Sequence, residues 1–216
     1  MCGISGIIKD HIDKKDFDDV FKMNENLKHR GPDASKIIED NNFIFGHTRL
    51  AILDLSDNGN QPMISKNNRF IIVYNGEIYN HKELRDKLVN ENKFNCKGHS
   101  DTEIFLNCIE SWGLDETLRL AYGMFAFALY DKKKNEYYFV RDKLGEKPLY
   151  YFKDNKQFIF SSELKPIVSL GRIYKKLNYK TLDSYFKYNY IPSPNTIYEN
   201  IFKIDPAHYI KLNFKK

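Results

Sequence analysis

The chain has 216 residues, 42% of them hydrophobic and 29% charged, a composition typical of one large soluble domain or of a domain with a short extension. The formal net charge of +5 is spread along the chain without a dense basic block, which argues against a nucleic-acid-binding protein. No apolar run reaches the roughly 18 residues of a membrane span, and the amino terminus lacks the pattern of a secretory signal. Three cysteines without metal-ligand spacing favour a reducing, cytoplasmic location.

The first stretch of the chain carries a chemical signal. Removal of Met1 would leave Cys2 with a thiol and a free α-amine in the same residue, which is a nucleophile with its own base. An α-amine has an ordinary pKa of about 7.7–8.0, so about a tenth of it is neutral at pH 7, far more than of a lysine. The isoleucines that follow predict a buried strand that anchors the nucleophile. Taken alone, Cys2 also fits a small buried hydrophobic residue near a frayed terminus.

Hydrophobic periodicity predicts helices and strands in alternation over the first half of the chain. The predicted helices cover residues 16–29, 81–90 and 100–112, and Ser100 with an acid three residues later predicts a capping box at the start of the last one. The predicted strands cover residues 37–38 and 43–45 as a hairpin, residues 46–53, and residues 69–74. We expect the last of these strands to end in a tight turn at Asn75-Gly76-Glu77.

The second half of the chain predicts an antiparallel meander followed by a change of composition. Its four β-like stretches cover residues 124–130, 136–141, 149–152 and 158–160, and a short helix follows from residue 161. After Gly171 we predict a helix over 182–188 and a last strand over 207–214. The sequence thus predicts a domain over 1–170 and a C-terminal extension or linker over 171–216. Helices mixed with antiparallel strands indicate an α+β fold, most economically a layered sandwich.

Polar residues at the predicted strand and helix ends suggest a substrate. Arg49 offers the planar donor that suits an α-carboxylate, and Asp101 or Glu77 offers a carboxylate for an α-ammonium group. The side-chain amide of Asn75 with the backbone N–H of Gly76 would form an oxyanion hole, in which one donor is worth about 3–4 kcal/mol. Each also has a simpler interpretation: Arg49 as part of a surface ion pair, Asn75-Gly76 as a turn, and Asp101 as a charge at a helix start. The residues predict a cysteine amidase with an amino-acid-like substrate.

The chain contains nine short motifs, which are, in chain order, Cys2-Gly3-Ile4, Arg30-Gly31-Pro32-Asp33, Gly46-His47-Thr48-Arg49-Leu50-Ala51-Ile52, Tyr74-Asn75-Gly76-Glu77-Ile78-Tyr79-Asn80, Ser100-Asp101-Thr102-Glu103, Gly123-Met124-Phe125-Ala126-Phe127-Ala128, Arg141-Asp142, Gly145-Glu146-Lys147-Pro148-Leu149-Tyr150 and Ser161-Ser162-Glu163-Leu164-Lys165. In this order they resemble the glutamine-hydrolysing, class II glutamine amidotransferase domain of the asparagine synthetase family. The resemblance is close over residues 2–170 and looser beyond.

The resemblance implies an N-terminal-nucleophile hydrolase fold, a four-layer αββα sandwich of two antiparallel sheets. It implies L-glutamine as substrate, with glutamate and ammonia as products. It also implies a set of residue roles: Cys2 as nucleophile, Asn75 and Gly76 as oxyanion hole, Arg49 as α-carboxylate clamp, backbone of Leu50 and Ile52 lining the site, and Glu77 and Asp101 holding the α-amino end.

The chain also departs from the family. Full members continue into a synthetase domain that binds ATP through a Ser-Gly-Gly-x-Asp-Ser loop, which this sequence lacks, and Asp205-Pro206-Ala207-His208 replaces the usual Pro-Pro-Gly-His. We therefore expect no cofactor in this half, with ATP and Mg²⁺ only on the missing synthetase domain or subunit. That partner would use the ammonia to amidate aspartate or a sugar acid, and the chain alone would not make asparagine. A fragment, a truncated product and a stand-alone subunit all remain open.

Other functions stay open at this point. A glutamine-sensing module would fit a retained Met1, because the base would then be blocked. An inactive structural remnant is disfavoured, because every expected catalytic position is filled. A further alternative is a class II amidotransferase of the glucosamine-phosphate or phosphoribosylamine type. The amino-acid sequences of the motifs that begin at Arg30 and Asn75 argue against it. We expect neither nucleic acid nor a membrane as partner, and a homodimer is one option for assembly.

Overall fold

In a computed structural model, residues 1–213 are described, and they form eleven β-strands and six α-helices. The strands are β1 (Gly3–Lys9), β2 (Ala34–Asp40), β3 (Phe43–Arg49), β4 (Met63–Ile64), β5 (Phe70–Ile78), β6 (Gly123–Asp131), β7 (Glu136–Arg141), β8 (Tyr150–Lys153), β9 (Gln157–Ser161), β10 (Ile201–Lys203) and β11 (Tyr209–Asn213). The helices are α1 (Lys14–Leu27), α2 (His81–Asn90), α3 (Asp101–Trp112), α4 (Leu114–Leu120), α5 (Leu164–Val168) and α6 (Tyr179–Tyr188).

The strands form two antiparallel sheets that pack face to face. The first sheet has the order β10-β8-β9-β1-β3-β2 and the second has the order β11-β7-β6-β5-β4. Apolar side chains fill the space between the sheets, among them Ile4, Phe45, Val73 and Phe139. Helix α1 packs on the outer face of the first sheet, and α3 packs on the outer face of the second. This arrangement confirms the predicted α+β sandwich with helical outer layers.

Strand β1 lies in the middle of the first sheet, between β3 and β9. Its side chains are buried from Gly3 to Ile8 because one face points to the second sheet and the other to α1. Helix α1 begins with a complete capping box between Asp13 and Asp16. The predicted anchoring strand behind Cys2 is therefore present, and it is held on both edges and both faces.

Two predicted features of the strands are wrong. The strand expected over residues 46–53 ends at Arg49, and the turn expected at Asn75-Gly76-Glu77 does not form, because β5 runs straight through these residues. Gly76 pairs with Phe125 of β6, and a Cβ at this position would collide with the carbonyl oxygen of Met124. The glycine thus allows a close approach between two strands rather than a turn.

The predicted meander is also wrong. Strands β6 and β7 form a hairpin in the second sheet, whereas β8 and β9 form a hairpin in the first. The segment over residues 142–149 carries the chain from one sheet to the other. Each hairpin is predicted correctly from its own turn, but hydrophobic alternation does not reveal which sheet a hairpin joins.

The boundary predicted at residue 170 stays a prediction. Residues beyond it contribute β10, which pairs with β8, and β11, which pairs with β7. Arg172 donates from Nη1 to Oδ1 of the fully buried Asp16 at 2.7 Å. The last residue of the predicted strand, Phe214, lies outside the described residues.

Candidate active site

Cys2 lies immediately before β1, at the mouth of the space between the sheets. The backbone N–H of Leu50 points to the Cys2 Sγ, with an N–S distance of 3.5 Å. The carbonyl oxygen of Cys2 accepts a hydrogen bond from Arg30 Nε at 3.0 Å, and Arg30 Nη1 is paired with Glu163 at 2.9 Å. These contacts fix the backbone and the thiol of Cys2 from two sides.

One pocket next to Cys2 gathers every residue to which a site role was assigned from the sequence. Cys2, Arg49, Leu50, Ile52, Asn75, Gly76, Glu77 and Asp101 all line it. These residues come from the start of β1, the end of β3 with the loop after it, the second half of β5 and the start of α3. The roles assigned to them stay predictions.

Asn75 has an unusual environment in this pocket. Side chains alternate along β5, so Asn75 lies on the same face as Ile71 and Val73, which points to the first sheet. The side chain is fully buried, and neither Nδ2 nor Oδ1 has a hydrogen-bond partner within residues 1–213. Buried amides are ordinarily paired, so this one is available to a bound molecule.

The free edge of β5 offers a second donor beside Asn75. Successive N–H groups of an antiparallel strand point to opposite edges, and the register of β5 with β6 has no bulge. The N–H of Tyr74 donates to Gln61 Oε1 at 2.6 Å, and the N–H of Ile78 donates to Asp101 Oδ2 at 2.8 Å. The N–H of Gly76 lies between them and points to the same edge, toward the pocket.

Arg49 is buried at the end of β3 and organises the loop that follows. It donates from Nη1 to the carbonyl oxygen of Ser56 and to Asn60 Oδ1, both at 2.9 Å, and from Nη2 to the carbonyl oxygen of Asp54. A Cβ on Gly59 would collide with Nη2, so glycine makes room for the guanidinium group. Of the five guanidinium N–H groups, three are used by these described residues, which leaves two for a ligand.

Asp101 is the first residue of α3 and is buried beside the pocket. Its carboxylate accepts the N–H of Ile78 at 2.8 Å and that of Thr102 at 2.9 Å. Burial raises the pKa of Asp101, while these two N–H groups act in the opposite direction. Glu77 lines the same pocket and is partly exposed. Two carboxylates thus line the same pocket as Arg49 and Asn75.

The environment of Cys2 leaves its thiol in need of a base. Burial raises the pKa of the thiol, while the Leu50 N–H, the terminal ammonium group and Arg49 lower it. Burial lowers the pKa of the terminal amine, which still belongs to Met1 in this structure, and nearby Arg30 and Lys147 lower it further. The two shifts make the thiol a weaker acid and the amine more often neutral.

The sequence profile described as a glutamine amidotransferase domain matches residues 1–216 of this chain. The chain belongs to this family. It is 42% identical to the putative asparagine synthetase [glutamine-hydrolyzing] 2 of Methanocaldococcus jannaschii, over all of this chain and 45% of that relative. It is 37% identical to asparagine synthetase [glutamine-hydrolyzing] 3 of Bacillus subtilis, over all of this chain and 35% of that relative. The glutamine amidotransferase domain therefore spans less than half of these relatives, and the resemblance found in the motifs is confirmed.

The fold of this domain also occurs in a solved structure. The glutamine phosphoribosylpyrophosphate amidotransferase from B. subtilis, complexed with ADP and GMP, matches with a TM-score of 0.66 and 20% sequence identity, over 77% of this chain and 43% of that one. At this level of identity the likeness concerns the fold, and it agrees with the predicted sandwich of two antiparallel sheets between helical layers. Within residues 1–213 no helix is long and apolar enough to cross a membrane.

Several pocket residues were not predicted from the sequence. Gln61 binds the backbone of Tyr74 through Oε1 and lies 3.4 Å from Thr102 Oγ1 through Nε2. Lys147 reaches the pocket from the loop between β7 and β8. Lys147 lies in one of the motifs that carry the family resemblance, so the motif could have indicated that Lys147 lies near the site. Gln61 lies in a turn-rich stretch that gave no indication of a buried role.

Proposed function

We propose that this chain, once Met1 is removed, hydrolyses L-glutamine to L-glutamate and ammonia through a thioester on Cys2. The observation that supports this most is the shared pocket of the Cys2 thiol and the buried side-chain amide of Asn75, which has no partner within residues 1–213. A nucleophile next to an unused amide donor is what attack on a carboxamide requires.

In the first half of the reaction, Cys2 attacks the side-chain amide of glutamine. The α-amine of Cys2 accepts the thiol proton as Sγ forms a bond to the amide carbon, and the carbonyl oxygen becomes an oxyanion. Asn75 Nδ2 and the N–H of Gly76 donate to that oxyanion. The ammonium group then protonates the leaving nitrogen, the C–N bond breaks, and ammonia leaves behind a thioester.

In the second half, water hydrolyses the thioester. The neutral α-amine takes a proton from the water as its oxygen attacks the thioester carbon, and the same two donors stabilise the second oxyanion. The C–S bond breaks, the proton returns to the sulfur, and glutamate is released. This sequence uses protein groups and water alone, and we expect no metal or organic cofactor for it.

The remaining residues of the pocket would hold the amino-acid end of glutamine. The two unused N–H groups of Arg49 would bind the α-carboxylate, as a planar guanidinium suits. Asp101 and Glu77 would bind the α-ammonium group, and the backbone of Leu50 and Ile52 would line the wall beside the substrate.

The destination of the ammonia is the wider part of the proposal. The relatives named above are asparagine synthetases of more than twice this length. We infer that ammonia passes to a synthetase part, in the same protein or in a partner, which uses ATP and Mg²⁺ to activate a carboxylate of aspartate or of a sugar acid. We expect no asparagine from this chain alone with aspartate, ATP and glutamine.

The test combines turnover with covalent labelling. Purified chain is incubated with L-glutamine, glutamate is measured, and the intact mass is recorded before and after treatment with a diazo-ketone analogue of glutamine. We expect loss of one methionine, one adduct on Cys2, and neither turnover nor adduct in Cys2→Ala. Cys96→Ala is the matched control, since Cys96 is a half-buried thiol outside the pocket, and it should keep both signals.

Two outcomes would contradict the proposal. Turnover that survives Cys2→Ala would assign the activity to another group. Tight binding of glutamine without glutamate formation by the processed chain would favour a glutamine-sensing module instead.

A further inference from the structure

Three sequence motifs that the proposed reaction does not use converge on the first two residues. Arg30 comes from the Arg-Gly-Pro-Asp motif and donates to the carbonyl oxygen of Cys2 at 3.0 Å. Glu163 comes from the Ser-Ser-Glu-Leu-Lys motif and binds Arg30 at 2.9 Å. Lys147 comes from the Gly-Glu-Lys-Pro motif, and its Nζ lies 3.1 Å from Met1 Sδ.

The loop that carries Lys147 is built around a buried carboxylate and a guanidinium group. Asp142 accepts four backbone N–H groups at 2.9–3.2 Å, those of Phe125, Leu144, Glu146 and Lys147. Arg141 donates to three backbone carbonyl oxygens, those of Gly145, Lys147 and Ile204. The backbone of Lys147 is bound from both sides, so the position of its side chain is set by the loop rather than by its own contacts.

The ammonium group of Lys147 lacks an anionic partner. Lys147 is only 6% exposed, yet no carboxylate of residues 1–213 forms an ion pair with it, and its Nζ contacts the thioether of Met1, a weak acceptor. Buried lysines are ordinarily paired, because an isolated charge is costly to bury. Lys147 lines the same pocket as Met1 and Cys2, and removal of Met1 would take away the one contact of its ammonium group described above.

We infer that Lys147 is a positioning residue of the glutaminase site, whose positive charge acts on the α-amine of Cys2 and favours the neutral form that accepts the thiol proton. The inference rests on the function proposed above and adds to it the group that tunes the base. The amine of Met1 in the unprocessed chain shows the same direction: burial lowers its pKa, and Arg30 and Lys147 each lower it further.

Other charged groups also surround the terminus. The Cys2 thiolate and Asp33 raise the pKa of the terminal amine and thus oppose Lys147. Arg30 acts in the same direction as Lys147, but Glu163 pairs with it and reduces its net field. Across the pocket lie Arg49, Glu77 and Asp101. Arg30 acts on the terminal amine more strongly than Lys147, but Lys147 is the cation near the terminus for which the described residues provide no carboxylate partner, so no paired charge offsets its effect.

The first test is the pH dependence of kcat/KM for glutamine hydrolysis. Activity requires the neutral amine, so it falls as the pH falls through the pKa of that amine. Lys147→Gln should move this acidic limb upward by about one pH unit, which is the size expected when one nearby unit charge is removed from a partly hydrated pocket. Activity should recover at high pH, which a folding defect would not allow. Lys147→Arg should keep the wild-type limb.

A matched control and an activity-independent readout complete the test. Lys143→Gln removes a charge from the same loop, but Lys143 is exposed against the Tyr122 ring, and the limb should not move. In Cys2→Ala chains the terminal amine remains, and its acetylation by acetic anhydride, followed by the mass of the amino-terminal peptide against pH, reports its protonation. Adding Lys147→Gln should raise the midpoint by a similar amount.

The possible results separate the two hypotheses. An unchanged acetylation midpoint in Lys147→Gln, or an unchanged acidic limb, overturns the inference about Lys147. A shifted midpoint in a chain without glutaminase activity would contradict the proposed function while the effect of Lys147 on the amine stands.

Discussion

Nε2 of His47 donates a hydrogen bond to the carbonyl oxygen of Tyr74, at 3.2 Å. His47 precedes Arg49 by two residues in β3, and Tyr74 directly precedes Asn75 in β5, so this bond joins the strands that carry two walls of the pocket. Nδ1 of the ring has no partner within residues 1–213. Burial lowers the pKa of His47 to about 3, and the ring is therefore neutral at ordinary pH.

The neutral His47 predicts a pH-dependent stability. Unfolded His47 binds a proton with a pKa near 6.5, whereas the folded ring resists protonation down to about 3. Above pH 6.5 the ring is neutral in both states and does not affect the pH dependence of stability. As the pH falls from 6.5 toward 3, the unfolded state gains a proton that the folded state does not bind, and the free energy of unfolding falls by about 1.4 kcal/mol per pH unit. Urea unfolding at several pH values should show a smaller slope for His47→Gln. His11→Gln, at an exposed position, should keep the wild-type slope.

Asn75→Ala should separate activity from stability. We expect kcat for glutamine hydrolysis to fall about 10²–10³-fold, the usual cost of one oxyanion donor. The free energy of unfolding should not fall, because an unpaired buried amide costs about 1–3 kcal/mol and the substitution removes it.

Asn24→Ala is the mirror-image control for Asn75→Ala. Asn24 is equally buried, but its amide is paired with Ser5 at 2.8 Å and with Ser35 at 3.2 Å. Its loss should lower stability by about 1–3 kcal/mol and leave kcat unchanged. A large loss of stability in Asn75→Ala with unchanged kcat would contradict the oxyanion role.

Asp101→Asn should weaken the binding of glutamine. The loss of one charge-assisted hydrogen bond to the α-ammonium group, about 1.5–3 kcal/mol, predicts a KM that is about ten- to a hundredfold higher with a smaller change in kcat. Glu103→Gln is the control, since Glu103 lies in the same helical turn and also accepts two backbone N–H groups, but does not line the pocket. An equal rise in KM for both variants would indicate damage to the helix start.

The raised pKa of Asp101 predicts that KM for glutamine depends on pH. Protonated Asp101 cannot pair with an ammonium group, so KM rises as the pH falls through its pKa. Because burial raises that pKa, the rise should begin at a higher pH than the ordinary aspartate value of about 3.9 allows. KM measured from pH 8 downward checks this, and Asp101→Asn should lack the acidic rise.

Asp142→Ala should destabilise the protein more than most substitutions. Four backbone N–H groups would lose their acceptor in a buried loop, which predicts a loss of at least about 3 kcal/mol in urea unfolding. Glu146→Gln changes an exposed carboxylate of the same loop and should stay within about 0.5 kcal/mol of wild type. Comparable stabilities for the two variants would refute the assigned role of Asp142.

The sequence predicts best what is encoded locally. The apolar run after Cys2 indicates β1, and Ser100 with Glu103 indicates the start of α3, where the Ser100 side chain does accept the N–H of Glu103. The pocket residues to which a role was assigned are also predictable, because they lie in motifs of fixed order. In each case a few neighbouring residues carry the whole signal.

The errors come from contacts that are distant in sequence. Asn75-Gly76 has the composition of a turn, but the close approach of β6 holds it in a strand, and nothing near residue 76 reveals β6. The chain switches sheets after β7 because Asp142 gathers the N–H groups of its own loop and of Phe125. Lys147 contacts a residue that is 146 positions away. Neither the alternation of apolar and polar residues nor the secondary-structure propensity of a segment indicates which residues distant in sequence come into contact.

The position of Cys2 at the head of a central strand has a practical consequence. Gly3 is packed so closely against Leu27 and Thr48 that a Cβ there would collide with both, and Met1 lines the pocket together with Cys2. Any residues fused in front of Cys2 must start inside the pocket. An amino-terminal affinity tag would therefore yield a folded protein without glutaminase activity. Cleavage by a protease directly before Cys2 would restore that activity in vitro.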